Sequence, residues 1–311
     1  MDALTEVLKS VQLHSIVHCR ADLSAPWGVE IDKTDQAAFH VIVQGSCWLE
    51  VEDTKEPIPL VGGDFVVLSK GTAHRLRDAL DSPLNSPLSR LQDLAAAPPC
   101  QGQLRVRYGG GGAPTTILCG NARFENHQMN PLLPALASLI LIRGKDGKAV
   151  EWLDLTLKAI AWETADDRPG SEMMIAYLSN ILFIQAIRAY VTSLKQDDTG
   201  WLRALRDPQL SAVLTLIHQS PEKNWTVDSL AKQVNLSRST FAARFKEQVG
   251  EAPLQYLTQW RMYRASRLLR ATDLPLVAIA QQVGYQSEAA FSKAFKRQIR
   301  QSPGEYRKSQ H

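Results

Sequence analysis

Cysteine is scarce and scattered in this 311-residue sequence. Cys19, Cys47, Cys100 and Cys119 stand far apart, with no CxxC pair among them. That spacing excludes a structural zinc framework and a dense disulfide scaffold, and leaves free thiols as the plain reading. Long unbroken apolar runs are also missing. The richest, "ILFIQAIRAYV", is interrupted by Gln185 and Arg188, so no segment is expected to span a bilayer. The opening "MDALTEVLKS" lacks the basic-then-apolar pattern of a secretion signal. These absences predict a cytoplasmic chain with no membrane partner. Net charge is small, +3, but unevenly placed. Residues 201–311 carry 17 Lys and Arg against 8 Asp and Glu, whereas residues 1–200 carry 18 against 24. A basic third on an acidic body points to a polyanion-binding module attached to a different kind of domain.

The chain is too long for one simple core, and its texture changes twice. Residues about 12–78 read as strands with glycine turns, as in "HVIVQGSCWLEVE" and "PIPLVGGDFVVLSKGTAH". Residues 79–116 read as a proline- and glycine-rich loop, and "TTILCGNARFE" as a returning strand. From Pro131 the pattern is helical. "WLDLTLKAIAWE" and "SEMMIAYLSNILFIQAIRAYVTSL" form a predicted hairpin whose broad apolar surface packs either within the chain or against a second copy. "KQDDTGW" is the expected linker. The fold class expected is α+β: an N-terminal sensor domain over 1–130, a helical linker or dimerisation region over 131–195, and an all-α domain over 201–311.

The basic third repeats itself. "LAKQVNLSRSTFAARFKEQVG" (230–250) answers "IAQQVGYQSEAAFSKAFKRQI" (279–299), with one extra residue in the second turn. Each copy reads as a short helix, a tight turn and a second helix begun by a serine, which is a helix-turn-helix pattern. Asn235 and Gly284 are placed to take the positive φ of the turn, and Ser237 and Ser287 to cap the second helices. At 3.6 residues per turn, Phe241 and Phe245 share a buried face, as do Phe291 and Phe295. Arg238, Ser239, Ala242, Ala243 and Lys246 then face outward in the first copy. Glu288, Ala289, Ser292, Lys293 and Lys296 do so in the second. Small outward residues let a helix sit deep in a major groove, while long basic ones reach phosphates and guanine edges. Between the copies, "PLQYLTQWRMYRASRLLRATDLP" reads as a connector helix with Arg261, Arg264, Arg267 and Arg270 every three residues. It would set two reading heads into successive grooves of one duplex, about 34 Å apart.

With these motifs in view, residues 201–311 resemble the DNA-binding domain of the AraC/XylS transcription regulators nearly end to end. The paired phenylalanines, the serine-begun helices and the closing "SPGEYR" carry the likeness. The resemblance implies that Ser239, Ala242, Ala243, Glu288, Ala289, Ser292 and Lys293 face base edges. Arg238, Arg244, Lys246, Ser287 and Lys296 complete the expected contact set. The implied partners are an operator in double-stranded DNA and RNA polymerase, and the implied effect is activation.

"GGDFVVLSKGTAH" (62–74) resembles the second motif of a cupin barrel, and "FHVIVQGSCWLEVE" stands where the first should be. Only His40 and His74 are offered as imidazoles, short of the three protein ligands of a catalytic metal. No metal, cofactor or catalytic residue is therefore expected, and a cupin-type metal-dependent enzyme with a DNA-binding appendage stands as the alternative. Together with "GGGGAPTTILCGNARFE" and the helical hairpin, the N-terminal part looks like the cupin-sensor subgroup of AraC-type regulators. One member of that subgroup answers reactive chlorine through cysteines, and Cys19 and Cys119 occupy comparable places. Three readings stay open: redox sensing by Cys19 or Cys119, with His18 and Arg20 as neighbours that could lower the Cys19 pKa; a small molecule or loosely held metal near His40 and His74; and purely structural residues.

Overall fold

The computed structural model describes residues 2–11, 13–52, 54–84, 104–124, 131–144, 149–163, 168–195 and 197–309. The chain falls into two compact units. One comprises Leu13–Phe124 and Leu136–Tyr190; the other comprises Met1–Gln12, Glu125–Ala135 and Val191–His311. This grouping differs from the expected divisions at 130 and 195–201: residues 1–12 and 125–135 gather with the C-terminal helices, and residues 136–190 with the sheets.

The first unit is built on β1 (Leu13–Ser24), β2 (Gly28–Ile31), β3 (Ala37–Gln44), β4 (Ser46–Val51), β5 (Ile58–Val61), β6 (Phe65–Leu68), β7 (His74–Arg77), β8 (Leu104–Gly109), β9 (Pro114–Phe124) and β10 (Leu139–Ile142). A six-stranded sheet runs β10-β6-β3-β9-β1-β8, and a four-stranded sheet runs β2-β7-β4-β5. Neighbours are antiparallel except β1 and β8. Burial alternates along most of β1, as period-2 side-chain placement requires. Leu23, Ile42, Val66 and Ile117 of the larger sheet meet Leu49, Leu60 and Leu76 of the smaller in one core. The opposite face of the larger sheet is covered by helix. Of α2 (Ala149–Glu163) and α3 (Ser171–Ser193), the second buries Ile175, Ser179, Leu182, Phe183 and Ala186 at spacings of three and four. Phe183 meets Phe124 edge-on at 5.5 Å, and Asn180 Oδ1 accepts the Ser15 N–H at 2.9 Å.

Two strands lie where the sequence suggested otherwise. β8 falls inside the stretch 79–116 read as a loop; residues 85–103 of that stretch lie outside the described residues. β10, "LILI", falls inside the region read as helical from Pro131. A four-residue apolar run carries no period that separates strand from helix, and a parallel partner about 85 residues away leaves no local signature. By length and composition α3 is also apolar enough to cross a membrane, contrary to the expectation that no segment could. Interior helices of proteins outside membranes pass the same test.

The second unit is helical: α1 (Ala3–Val11), α4 (Trp201–Ala204), α5 (Pro208–Gln219), α6 (Val227–Gln233), α7 (Arg238–Val249), α8 (Pro253–Ala271), α9 (Leu276–Gln282), α10 (Glu288–Ile299) and α11 (Pro303–Lys308). The α1 helix was not anticipated. Its buried residues Ala3, Val7 and Val11 recur every four, a stripe too short to stand out beside the strand texture that follows. It is pinned by Tyr263, whose hydroxyl donates to the Ser10 carbonyl at 2.8 Å, and by His218, whose Nδ1 lies 3.2 Å from the Ala3 carbonyl.

Candidate nucleic-acid interface and sensor cavity

The two helix-turn-helix copies are α6–α7 and α9–α10. Ser237 Oγ accepts the Thr240 N–H at 3.1 Å, and Ser287 Oγ accepts the Ala290 N–H at 3.2 Å, so both serines cap as the sequence indicated. Asn235 takes φ 55° and Gly284 φ 83° at the turns. Phe241 and Phe245 lie 5.6 Å apart, as do Phe291 and Phe295, all four fully buried. Burying one such ring contributes about 2–3 kcal/mol. The repeat runs further than the phenylalanines. Tyr256 packs on Phe245 at 5.9 Å and Tyr306 on Phe295 at 5.5 Å, each three residues into a helix begun by proline. "PLQY" and "PGEY" fifty residues apart were the signal for this pairing.

Arg238, Ser239, Ala243 and Lys246 are exposed on α7, with Ala242 half-buried beside them. Ser287, Glu288, Ala289, Lys293 and Lys296 are exposed on and beside α10, with Ser292 half-buried. Arg244 has different employment from the DNA contact expected of it. It pairs with the buried Asp207 carboxylate and donates to Gln209 Oε1 at 2.7 Å, tying α7 to the start of α5. The 19-residue α8 is about 28 Å long, and its arginines are half-buried. Arg261 donates to the Pro221 and Lys223 carbonyls at 2.7 and 2.8 Å. Each outward face thus joins a capped helix N-terminus, small residues and flexible cations, the chemistry that phosphates and base edges accept.

In the first unit, a cavity of about 430 Å³ opens between the sheets. Ala21, Leu23, Trp27, Val29, Leu76 and Ile117 supply apolar wall. His40, His74 and Cys119, expected sensor residues, come together on its lining. His40 Nε2 lies 2.7 Å from His74 Nε2, His40 Nδ1 3.3 Å from Cys119 Sγ, and His74 Nδ1 2.8 Å from the Thr72 carbonyl. One set of tautomers satisfies all three contacts. The Cys119 thiol donates to His40 Nδ1, His40 Nε2–H to His74 Nε2, and His74 Nδ1–H to Thr72. Both rings are then neutral. Burial, reinforced by the nearby His74 and His18 rings, holds His40 well below the usual imidazole range, and burial lowers His74. These residues do not fit a cupin metal. The two Nε2 atoms face each other, Cys119 sits on the other nitrogen of His40, and among the described residues no group of three His, Cys, Asp or Glu is arranged to hold an ion.

His18 also lines the cavity, and sequence reasoning gave it no such place. Between β1 and β9 the register shifts: Val17 pairs with Gly120 and Cys19 with Cys119, so one step on β9 spans two on β1. This bulge turns the consecutive His18 and Cys19 both inward, a use to which bulges beside functional sites are put. Cys19 lies fully buried in the core. Burial first, and the Asp22 carboxylate second, push its thiol up to about 12; His18, itself depressed to about 4 by burial, brings no charge to oppose this. Burial likewise raises Cys119 well above the usual range. Cys47 is buried, with its thiol pushed up to about 12, and Cys100 lies outside the described residues.

A two-sheet cavity domain carrying two capped, cation-faced helix-turn-helix copies defines a DNA-binding transcription regulator with a cupin-type N-terminal domain. A cupin family profile matches residues 2–192, and a helix-turn-helix domain profile matches residues 230–309. The HTH-type transcriptional regulator AlkR of Acinetobacter baylyi is 35% identical over 309 residues, 99% of each chain. The RCS-specific HTH-type transcriptional activator RclR of Escherichia coli is 27% identical over 309 residues, 99% of this chain and 97% of that one. Among solved structures, the DNA-binding domain of AdpA in complex with a target DNA aligns at 35% identity, covering 33% of this chain and 92% of that one, with a TM-score of 0.32. The chain belongs to the cupin-bearing AraC-like transcription regulators.

Proposed function

We propose that this regulator activates transcription from promoters whose operator the α7 and α10 faces read, in response to a small molecule held in the β1–β9 cavity. One observation carries the DNA contacts. Arg238, Ser239, Ala242, Ala243 and Lys246 in one copy, and Ser287, Glu288, Ser292, Lys293 and Lys296 in the other, point away from the buried phenylalanine pairs. Lys293→Ala and Arg238→Ala are each expected to weaken operator binding by about 1–3 kcal/mol and to lower the salt slope by about one. Gel-shift titrations at several salt concentrations measure both quantities, on an operator selected from genomic fragments. Unchanged affinity and slope in both variants overturn this orientation of the helices.

Exposed Trp162, Met173, Met174, Tyr177 and Ile181 on and beside the α2–α3 hairpin support pairing of two copies through that surface. RNA polymerase is the partner that activation requires. A binding role for the cavity is preferred to metal-dependent catalysis because the His40 and His74 Nε2 atoms face each other and, among the described residues, no group of three His, Cys, Asp or Glu is arranged to hold an ion. Stoichiometric iron or manganese in the purified protein would reverse that preference.

The cross-strand pairing of Cys19 with Cys119 favours redox sensing as a second reading. Against it, a thiol with a pKa of about 12 is ionised about once in 10⁵ molecules at pH 7, and the thiolate is the reactive form. Cys19→Ser and Cys119→Ser are therefore expected to keep a full promoter response; loss of an oxidant response in either variant restores the redox reading.

A further inference from the structure

We infer that the cavity selects an uncharged, largely apolar molecule whose single hydrogen-bonding group meets His18 and Asn121, and that it rejects carboxylates. This rests on the reading of the cavity as the sensor site. Its volume, about 430 Å³, lies in the range of small-molecule sites, and its wall is mostly hydrocarbon. At its histidine pole, the relay from Cys119 through His40 and His74 to the Thr72 carbonyl consumes its own donors and acceptors. That pole offers a ligand neither a spare N–H nor a positive charge. His18, turned inward by the bulge, and Asn121 line the same space, and their side chains make no hydrogen bond to other described residues. Each keeps a donor and an acceptor for an incoming group.

Charge decides against anions. Apart from the three histidines and Cys119, the ionisable side chains on the lining are Glu30, Asp32, Lys33 and Asp35, three acids to one base. Glu30 is already paired with Arg75 at 2.7 Å, and Arg75 is not on the lining. A carboxylate entering here meets one cation, the exposed Lys33, set between the exposed acids Asp32 and Asp35, and beyond them finds no guanidinium or imidazolium to replace its lost water, the costliest kind of burial. An alkylammonium meets the acids at the margin but only neutral rings and hydrocarbon beyond. An alcohol, ketone or amide loses little, because His18 and Asn121 restore the hydrogen bonds it had in water.

The test uses the full chain and three probes of one length: 1-octanol, octanoate and octylamine, titrated up to millimolar concentrations with intrinsic tryptophan fluorescence, since Trp27 lines the cavity. Octanol is expected to bind at least about tenfold tighter than octanoate or octylamine. His18→Leu, which keeps an apolar wall, is expected to weaken octanol by roughly threefold to tenfold and to leave the charged probes unchanged. Ala21→Phe fills the cavity and is expected to abolish binding; Ala21→Ile serves as a smaller filling should the first not fold. If octanoate or octylamine binds as well as octanol, and the filling variant removes it, the site stands and the selectivity is wrong. If octanol binds undiminished to a folded filling variant, the cavity reading itself falls. If none of the three binds wild type, the selectivity is overturned.

Discussion

His218 lies at the centre of the DNA-binding unit, fully buried, with its ring 4.1 Å from that of Trp260. Its Nδ1–H reaches the Ala3 carbonyl, and its Nε2 accepts the Tyr256 hydroxyl at 2.8 Å. Accepting the Tyr256 hydroxyl requires an unprotonated Nε2 and hence the neutral ring, and burial, outweighing the Ala3 bond, depresses its pKa to about 4. In the unfolded chain an imidazole titrates near 6.5. Above pH 6.5 the ring is neutral in both states, and the contribution of this site is fully present. As pH falls from 6.5 toward 4, the unfolded chain takes up the proton first, and up to about 3 kcal/mol of stability drains away. His218→Phe is expected to be less stable at pH 7.5 but to lose less on acidification. Urea midpoints at pH 7.5 and 4.5 for both proteins measure this; an equal gap at the two pH values refutes it.

At the scale of the element, the two helix-turn-helix copies share a backbone with different residues at its two left-handed positions. The first copy has Asn235 at the turn and Gly250 after the recognition helix, at φ 55° and 92°. The second has Gly284 and Arg300, at φ 83° and 65°. Arg300 alone lacks both glycine freedom and the short polar side chain that tolerates this region. Arg300→Gly is expected to raise stability by about 0.5–1 kcal/mol. Gly284→Ala is expected to cost more than that. A Cβ there would stand 2.6 Å from Arg261 Nη2 and 2.8 Å from the Glu222 carbonyl, in addition to the unfavourable φ. Thermal denaturation of both variants checks the two signs. These elements were the most legible in the sequence, since caps, phenylalanine pairs and turn residues act over a few positions and leave local traces. The role of Arg244 was not legible, because its partner Asp207 is 37 residues away and nothing local marks the pair. The cavity was half-legible. His40 and His74 follow from motif spacing, whereas the inward turn of His18 depends on a register shift between strands a hundred residues apart.

At the scale of the molecule, the chain passes between the two compact units four times, after residues 12, 124, 135 and 190. Strand β1, which carries His18, follows α1 with one residue between, and β9, which carries Cys119 and Asn121, ends at the second passage. If the cavity is the sensor site proposed above, a ligand that displaces either strand acts on chain that runs directly into the second unit, and a bias between two states is all a sensor needs. Val7→Asp, in the buried stripe of α1, is expected to cost about 3 kcal/mol or more. It should depress operator affinity while octanol binding in the cavity persists. Gel-shift and fluorescence titrations on the same sample read both, and undiminished operator affinity rules α1 out as a part of the DNA-binding unit.

The seating of α1 also limits how the gene can be cut. Grafting residues 201–311 alone onto a foreign receptor leaves behind Ala3, Val7 and Val11, so such a hybrid carries bare hydrocarbon where α1 is seated. A hybrid that keeps this packing carries α1 along with the C-terminal helices.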